Sequence, residues 1–448
     1  MSRESTIFEL EEALAEVPVI DVHTHLVGGK LAARGLHDVL LYHMVISDLY
    51  AAGCPSGARL AQYPHWPTQA EADARIVEAI PFLPLIRNTS SYWGVKIILA
   101  NLYDWHEAIT LTNWRKLDAI IRERADDSSY AHAILDRLNI GRTGTEIARR
   151  EQGQDDDRLQ YALEWGFFTR CQWGEFDTAL YELERCWGRS PESPSPIGVG
   201  GRPETDRQIR TLSDVHKAIR HYVGAIPDDR VISTATHIST DIQFRNIGET
   251  EMESALTRRD SAGSVERDVY ASYIHEAFLT ELETRKSSVV FQFSLGAEPL
   301  PYETAARLSQ STIATLAEMI GRHPGLHFQC FLASRHANQS LCTLARELPN
   351  LSLAGYWWHN FFPSAIAQVI DERLDMLPAN KQIGFFSDAY CVEWTYAKLH
   401  IVRKILARAL ASRMELNQFS REDALATARA ILFESPQTLL GFVPRSKT

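Results

Sequence analysis

The stretch Val17-Pro18-Val19-Ile20-Asp21-Val22-His23-Thr24-His25-Leu26 decides how the rest of the chain is read. Its first part is β-branched and apolar, which predicts a buried strand over residues 17 to 23. Its end is polar. Side chains on a strand alternate between faces, so His23 and His25 point the same way. Two unrelated histidines would fit the same letters, but a polar pair ending an apolar strand needs a partner for its buried nitrogens, and a divalent metal ion is the natural one.

Seven more short runs of this kind follow along the chain: NIGRTGT (139 to 145), WGFFTR (165 to 170), RVISTATH (230 to 237), SVVFQFSL (288 to 295), LHFQCFL (326 to 332), LSLAGYWW (351 to 358) and QIGFFSD (382 to 388). Helical patterns lie between most of them, as in TAARLSQSTIATLAEMIGRH before the sixth run and VEWTYAKLHIVRKILARALASRM after the eighth. Strand and helix in eightfold alternation predict an α/β fold, the parallel (β/α)8 TIM barrel, whose active sites lie at the C-terminal ends of the strands. About 115 residues separate the first two strands, far more than one crossover needs. The stretch 27 to 138, with helix formers such as QAEADARIVEAI and NWRKLDAIIRERADD, is expected to form a helical subdomain over the mouth of a barrel made from 1–26 and 139–448. The Pro-, Gly- and Ser-rich run 188 to 206 reads as a surface loop.

The 448 residues are 45% hydrophobic and 23% charged, the balance of a globular chain with a sizeable core. Lys and Arg number 46 against 57 Asp and Glu, a formal charge of −11, and no basic run offers a phosphate-binding surface. No nucleic acid and no membrane are expected as partners, since the acidic N-terminal stretch lacks the pattern of an export signal and no apolar run is long enough to span a bilayer. Six scattered cysteines without a CxxC pair suit reduced thiols and a cytoplasmic setting. A small-molecule substrate and a homo-oligomeric assembly complete the expectation.

The eighth run is apolar until Ser387-Asp388, where a carboxylate can close a metal site, take a proton, or cap the following helix. In a closed barrel the first and eighth strands are neighbours, so His23, His25 and Asp388 are the expected ligands.

DVHTHL on the first strand and an Asp ending the eighth resemble the amidohydrolase superfamily of metal-dependent barrels. LLYHMVISDLYAAG around His43 is similar to an active-site segment of the uronate isomerases, a family with a long helical insertion after strand one. Arg170 in FFTR, His237 in STATHI and Tyr356-Trp357-Trp358 resemble that family's TFRP, SDHG and GWW. The family's QLHxG appears here as Gln292-Phe293-Ser294-Leu295-Gly296, without the histidine, and its TDSR as Ser387-Asp388-Ala389-Tyr390, without the arginine. The resemblance implies aldose–ketose isomerisation of a uronate or related sugar through an enediol, with one divalent metal ion, zinc first and manganese or iron after it. His43 and Asp388 are then the acid–base residues, His43 otherwise a surface imidazole. His237 is a further ligand or a substrate contact. Arg170, Trp357, Trp358 and Tyr390 line the substrate, although Arg170 also suits a structural salt bridge and the tryptophans a core. A metal-dependent hydrolase, or a lyase, would use the same parts. A barrel that binds a small molecule without turnover is the reading outside catalysis.

Overall fold

The computed structural model describes residues 3–55, 68–127, 129–146, 153–154, 156–164, 179–187, 208–226, 231–238, 240–296, 308–356, 358 and 361–441. Eight strands run through them: β1 (Val19–Thr24), β2 (Ile140–Glu146), β3 (Leu159–Glu164), β4 (Val231–Ile238), β5 (Val290–Leu295), β6 (His327–Leu332), β7 (Leu351–Ala354) and β8 (Gln382–Ile383). They pair in sequence order, each neighbouring pair parallel, with helices between them: an α/β barrel.

Three strands differ from their expected places, the seventh by ending at Ala354 instead of position 358. The third strand is Leu159–Glu164, and the run WGFFTR lies outside the described residues. In LQYALE, Leu159, Tyr161, Ala162 and Leu163 are buried, but Gln160 and Glu164 interrupt the apolar letters, whereas the run after it carries three aromatic residues, Trp165, Phe167 and Phe168, and so reads more readily as a strand. The eighth strand pairs over only Gln382 and Ile383, because Gly384 N donates to Ile431 O at 2.7 Å and takes the chain out of the ladder with β7.

β5 shows how the wall is built. Its odd-numbered members, Phe291 and Phe293, pack outward on the helix Ser264–Thr284, with Phe291 6.1 Å from Phe278 and 5.7 Å from His275 between ring centroids. Val290, Gln292 and Ser294 occupy the opposite face. Between β1 and β2 the described residues form helices, among them Leu36–Leu40, His43–Ala51, Gln69–Ala79, Ser90–Tyr103, Trp114–Ala125 and Tyr130–Arg137. Gly144 lets β2 approach β1 closely, since a Cβ there would lie 2.5 Å from Val22 O. No helix among the described residues is long and apolar enough to cross a membrane.

Candidate metal centre

Where a regular ladder between β8 and β1 would run, three individual bonds close the seam. Asp388 N donates to His23 O at 3.0 Å, His25 N donates to Ala389 O at 2.8 Å, and Ser387 N donates to the buried Asp21 Oδ1 at 2.8 Å. These bonds place the residue after Ser387 directly beside the end of β1. The carboxylate therefore meets both imidazoles: His25 Nε2 is 3.2 Å and His23 Nε2 is 3.7 Å from Asp388 Oδ1. One donor atom from each of the three residues falls within 4.8 Å of the others, and His23 and Asp388 are buried.

That spacing suits an ion. Nitrogen and oxygen ligands about 2.1 Å from a tetrahedral centre lie about 3.4 Å apart, close to both carboxylate contacts. Two imidazoles and one carboxylate are also the donor set that zinc, iron and manganese accept. Among the described residues, His23, His25 and Asp388 are the group that can hold a metal ion. His237, at the end of β4 in register with Ser294 on β5, is not part of it.

The charges around the carboxylate are strongly perturbed. Burial works against a positive His25, but Glu146 and then Asp388 outweigh it and raise its pKa to about 9. Burial likewise opposes ionisation of Asp388, yet the hydrogen bond from His25 and the charges of His25 and Lys398 hold its carboxyl well below the usual range. Asp21 is pushed up to about 7 by burial, against the bonds it accepts from Ser387. The two carboxylates beside His25 thus favour positive charge at this point of the barrel, whether carried by a proton or by a metal ion.

The second layer is aromatic. His43, at the start of its helix, points Nε2 at Asp388 Oδ2 from 3.7 Å, and that buried nitrogen has no hydrogen-bond partner among the described residues. Burial lowers its pKa to about 3 in spite of Asp388, so the ring is neutral at ordinary pH. Trp358 stacks on His43 at 5.1 Å and 10°, and Tyr390 stacks on His25 at 4.5 Å and 16°. His23 leans on Phe331 and Phe386, at 5.5 and 6.1 Å between ring centroids. Of the other expected site residues, Arg170 and Trp357 lie outside the described residues.

Glu146 escaped the sequence reading. It ends β2, with Oε2 3.1 Å from His25 Nδ1, on the side of the ring away from Asp388. Its signal was the one that marked Asp388, a carboxylate at the C-terminal end of a strand, but the predicted strand stopped one residue short of it. Tyr42 and Lys398 also escaped; a buried tyrosine hydroxyl and a buried ammonium, they reach the seam through tertiary contacts alone.

No family model and no curated protein matches the chain. Solved structures do. A glucuronate isomerase from Caulobacter crescentus superposes with a TM-score of 0.79 at 14% identity, covering 99% of this chain and 95% of that one. A uronate isomerase from Thermotoga maritima gives 0.74 at 11% identity with 97% of each chain covered. One from Bacillus halodurans gives 0.71 at 18% identity, covering 99% of this chain and 98% of that one. At these identities the likeness is one of fold, and it extends over almost the entire chain: the architecture is the (β/α)8 barrel of the uronate isomerases.

Proposed function

We propose that the chain is a metal-dependent aldose–ketose isomerase of the amidohydrolase type, acting on a uronate or a closely related polyhydroxylated sugar. The observation that carries this reading is the convergence of His23, His25 and Asp388 with a neutral, unpartnered His43 Nε2 facing the same carboxylate. His23, His25 and Asp388 would hold one divalent ion, zinc before manganese or iron. Such an ion supplies electrophilic stabilisation to the negative oxygen that develops as an aldose becomes an enediol.

The protein's own groups divide the remaining work. Isomerisation moves one proton between C2 and C1, so the site needs a group able to take it and return it. His43 begins neutral because it is buried, and negative charge growing on the substrate beside it favours its protonated form. Trp358 keeps that imidazole in place by stacking, and Tyr390 does the same for His25. The two aromatic faces also give a sugar's C–H surface something to rest on. Arg170, Trp357 and His237 are the further substrate contacts we propose.

A second reading, a metal-dependent hydrolase, is favoured by Ser294 and Tyr390, which stand where the resemblance calls for a histidine and an arginine. There Asp388 would accept the proton of an attacking water. The cytoplasm is the proposed compartment, a reading supported by the free thiols of Cys54, Cys186, Cys330, Cys342 and Cys391.

The test is incubation of the metal-loaded protein with D-glucuronate, D-galacturonate and neutral aldoses, following ketose formation. Ketose from any of these, lost in His43→Ala while the metal stays bound, is the expected result. Absence of turnover on all of them would move the assignment to the hydrolase.

A further inference from the structure

Asp388 has φ of +54°, in the left-handed region that residues with a side chain rarely adopt. The chain leaves the barrel wall here, since the helix Val392–Glu415 begins four residues later. A conformation of this kind persists only where the surroundings hold it. On one side Asp388 N is held by His23 O at 3.0 Å. On the other, Asp388 O accepts a 2.8 Å hydrogen bond from Tyr42 Oη. Tyr42 is itself fixed on several sides: Lys398 Nζ donates to its oxygen at 2.8 Å, its ring stacks on Trp394 at 4.3 Å, and the ammonium also lies 5.0 Å from the ring centroid.

The polarity of this chain of bonds is fully determined. An ammonium has only donors, so Lys398 must give a proton to the Tyr42 oxygen, and the Tyr42 hydroxyl proton is then directed to the Asp388 carbonyl. Both side chains are almost wholly buried, Tyr42 at 0% and Lys398 at 2% exposure, so neither can exchange its partner for water. The three residues come from the inserted segment, the stretch between β8 and the helix that follows it, and that helix, Val392–Glu415.

We propose that Tyr42 and Lys398 are positioning residues, which hold the Asp388 backbone in its left-handed turn and so aim the carboxylate at His23 and His25. The inference rests on the metal reading given above. It goes beyond that reading in tying ligand geometry to the inserted helical segment, which there supplies only His43.

The experiment compares the full-length wild type with Tyr42→Phe, Lys398→Met, the double variant and Tyr103→Phe. Tyr103 is a control of the same kind: a buried tyrosine of the inserted segment whose hydroxyl donates to Glu393 at 2.7 Å and not to Asp388. Zinc affinity is measured by competition with a chelating dye. Exchange of the Asp388 amide is measured by NMR in the metal-free protein.

Tyr42→Phe and the double variant should bind zinc at least tenfold more weakly and exchange the Asp388 amide at least tenfold faster. Lys398→Met, which keeps the Tyr42 bond, should lose two- to fivefold in affinity. Tyr103→Phe should lower thermal stability and leave zinc affinity within twofold. Should Tyr42→Phe fail to fold because it strands a buried ammonium, the double variant removes that charge and carries the test. Zinc affinity within twofold of wild type, or unchanged amide exchange, in the folded Tyr42 variants overturns the proposal. A wild-type chain that takes up no divalent metal overturns the metal reading instead, and amide exchange alone then decides whether Tyr42 holds Asp388.

Discussion

The wall formed by β4, β5 and β6 and the seam between β8 and β1 solve the same problem in opposite ways. In the wall the ladders run in continuous register from Ser233↔Val290 to Ile238↔Leu295 and on to β6. A chain of buried polar side chains crosses it: Ser233 Oγ donates to Gln292 Oε1 at 3.2 Å, and Gln292 Nε2 donates to Gln329 Oε1 at 2.8 Å. At the seam the ladder is replaced by separate bonds, a residue sits at positive φ, and the polar side chains converge on one small volume. Regular pairing satisfies the backbone groups within the wall; broken pairing brings the side chains of His23, His25 and Asp388 to one point. A barrel can hold chemistry at one place because the remainder of its circumference is ordinary.

The sharpest way to break this contrast is to remove one polar side chain from each region. Asp388→Ala takes away a proposed ligand, and we expect elemental analysis to find the metal content of the wild type gone, an affinity loss of at least about 100-fold, while the fold survives. Gln292→Leu should do the reverse. It leaves Ser233 Oγ and Gln329 Oε1 buried without their partner, which costs about 2 kcal/mol in denaturant unfolding, and metal content should not change. Metal loss in Gln292→Leu, or its retention in Asp388→Ala, would erase the distinction.

A smaller effect is expected at Glu146. If its carboxylate holds the proton of His25 on Nδ1, Nε2 is left with its lone pair turned toward Asp388 and His23. Glu146→Gln keeps the shape and removes the charge, so zinc binding should weaken by about tenfold with little change in Tm. Chelator competition measures it, and an unchanged affinity would show that the ring is oriented by Tyr390 and the barrel alone.

The legibility of the sequence follows the same division. β5 and β6 could be read from letters because a strand covered on both faces is a nearly continuous apolar run, as in VVFQFSL, and β1 and β4 because Val, Ile and Thr dominate VPVIDVH and RVISTATH. β3 could not, because LQYALE carries Gln160 and Glu164 and a more aromatic run follows it. β8 was read too long, because nothing in GFFSD announces that Gly384 will bond to Ile431, 47 positions later. In the site, strand alternation alone aligned His23 with His25, and the expected closure of the barrel added Asp388. Tyr42 and Lys398 meet across 356 positions of chain, in a contact that no local period encodes. Glu146 was hidden by an error of one residue in a strand end.

The smallest predicted effect lies behind the regular wall, where titration should alter stability and nothing else. Glu276 on the helix Ser264–Thr284 accepts two bonds from Arg322, at 2.8 and 2.9 Å, and His323 lies between Glu276 and Glu283 at 3.0 Å from each. Burial opposes the charge on Glu276, but the Arg322 and His323 bonds prevail and bring its pKa from 4.5 down to about 2. That carboxylate's contribution is complete above pH 4.5 and is lost as the pH falls toward 2. His323 has the opposite sign. Burial would lower its pKa, yet Glu276 and Glu283 raise it above 6.5, so its contribution is complete below that value and fades as the pH rises through the folded-state pKa. Stability from this cluster should therefore be greatest between about pH 4.5 and 6.5 and fall on both sides, the acid limb by on the order of 1 kcal/mol after allowing for partial contact with water. Urea unfolding across that range checks it: Glu276→Gln should flatten the acid limb, and His323→Gln the basic one. An acid limb that survives Glu276→Gln would have to come from elsewhere, and the seam, with its paired Asp388 and His25, would be the place to look.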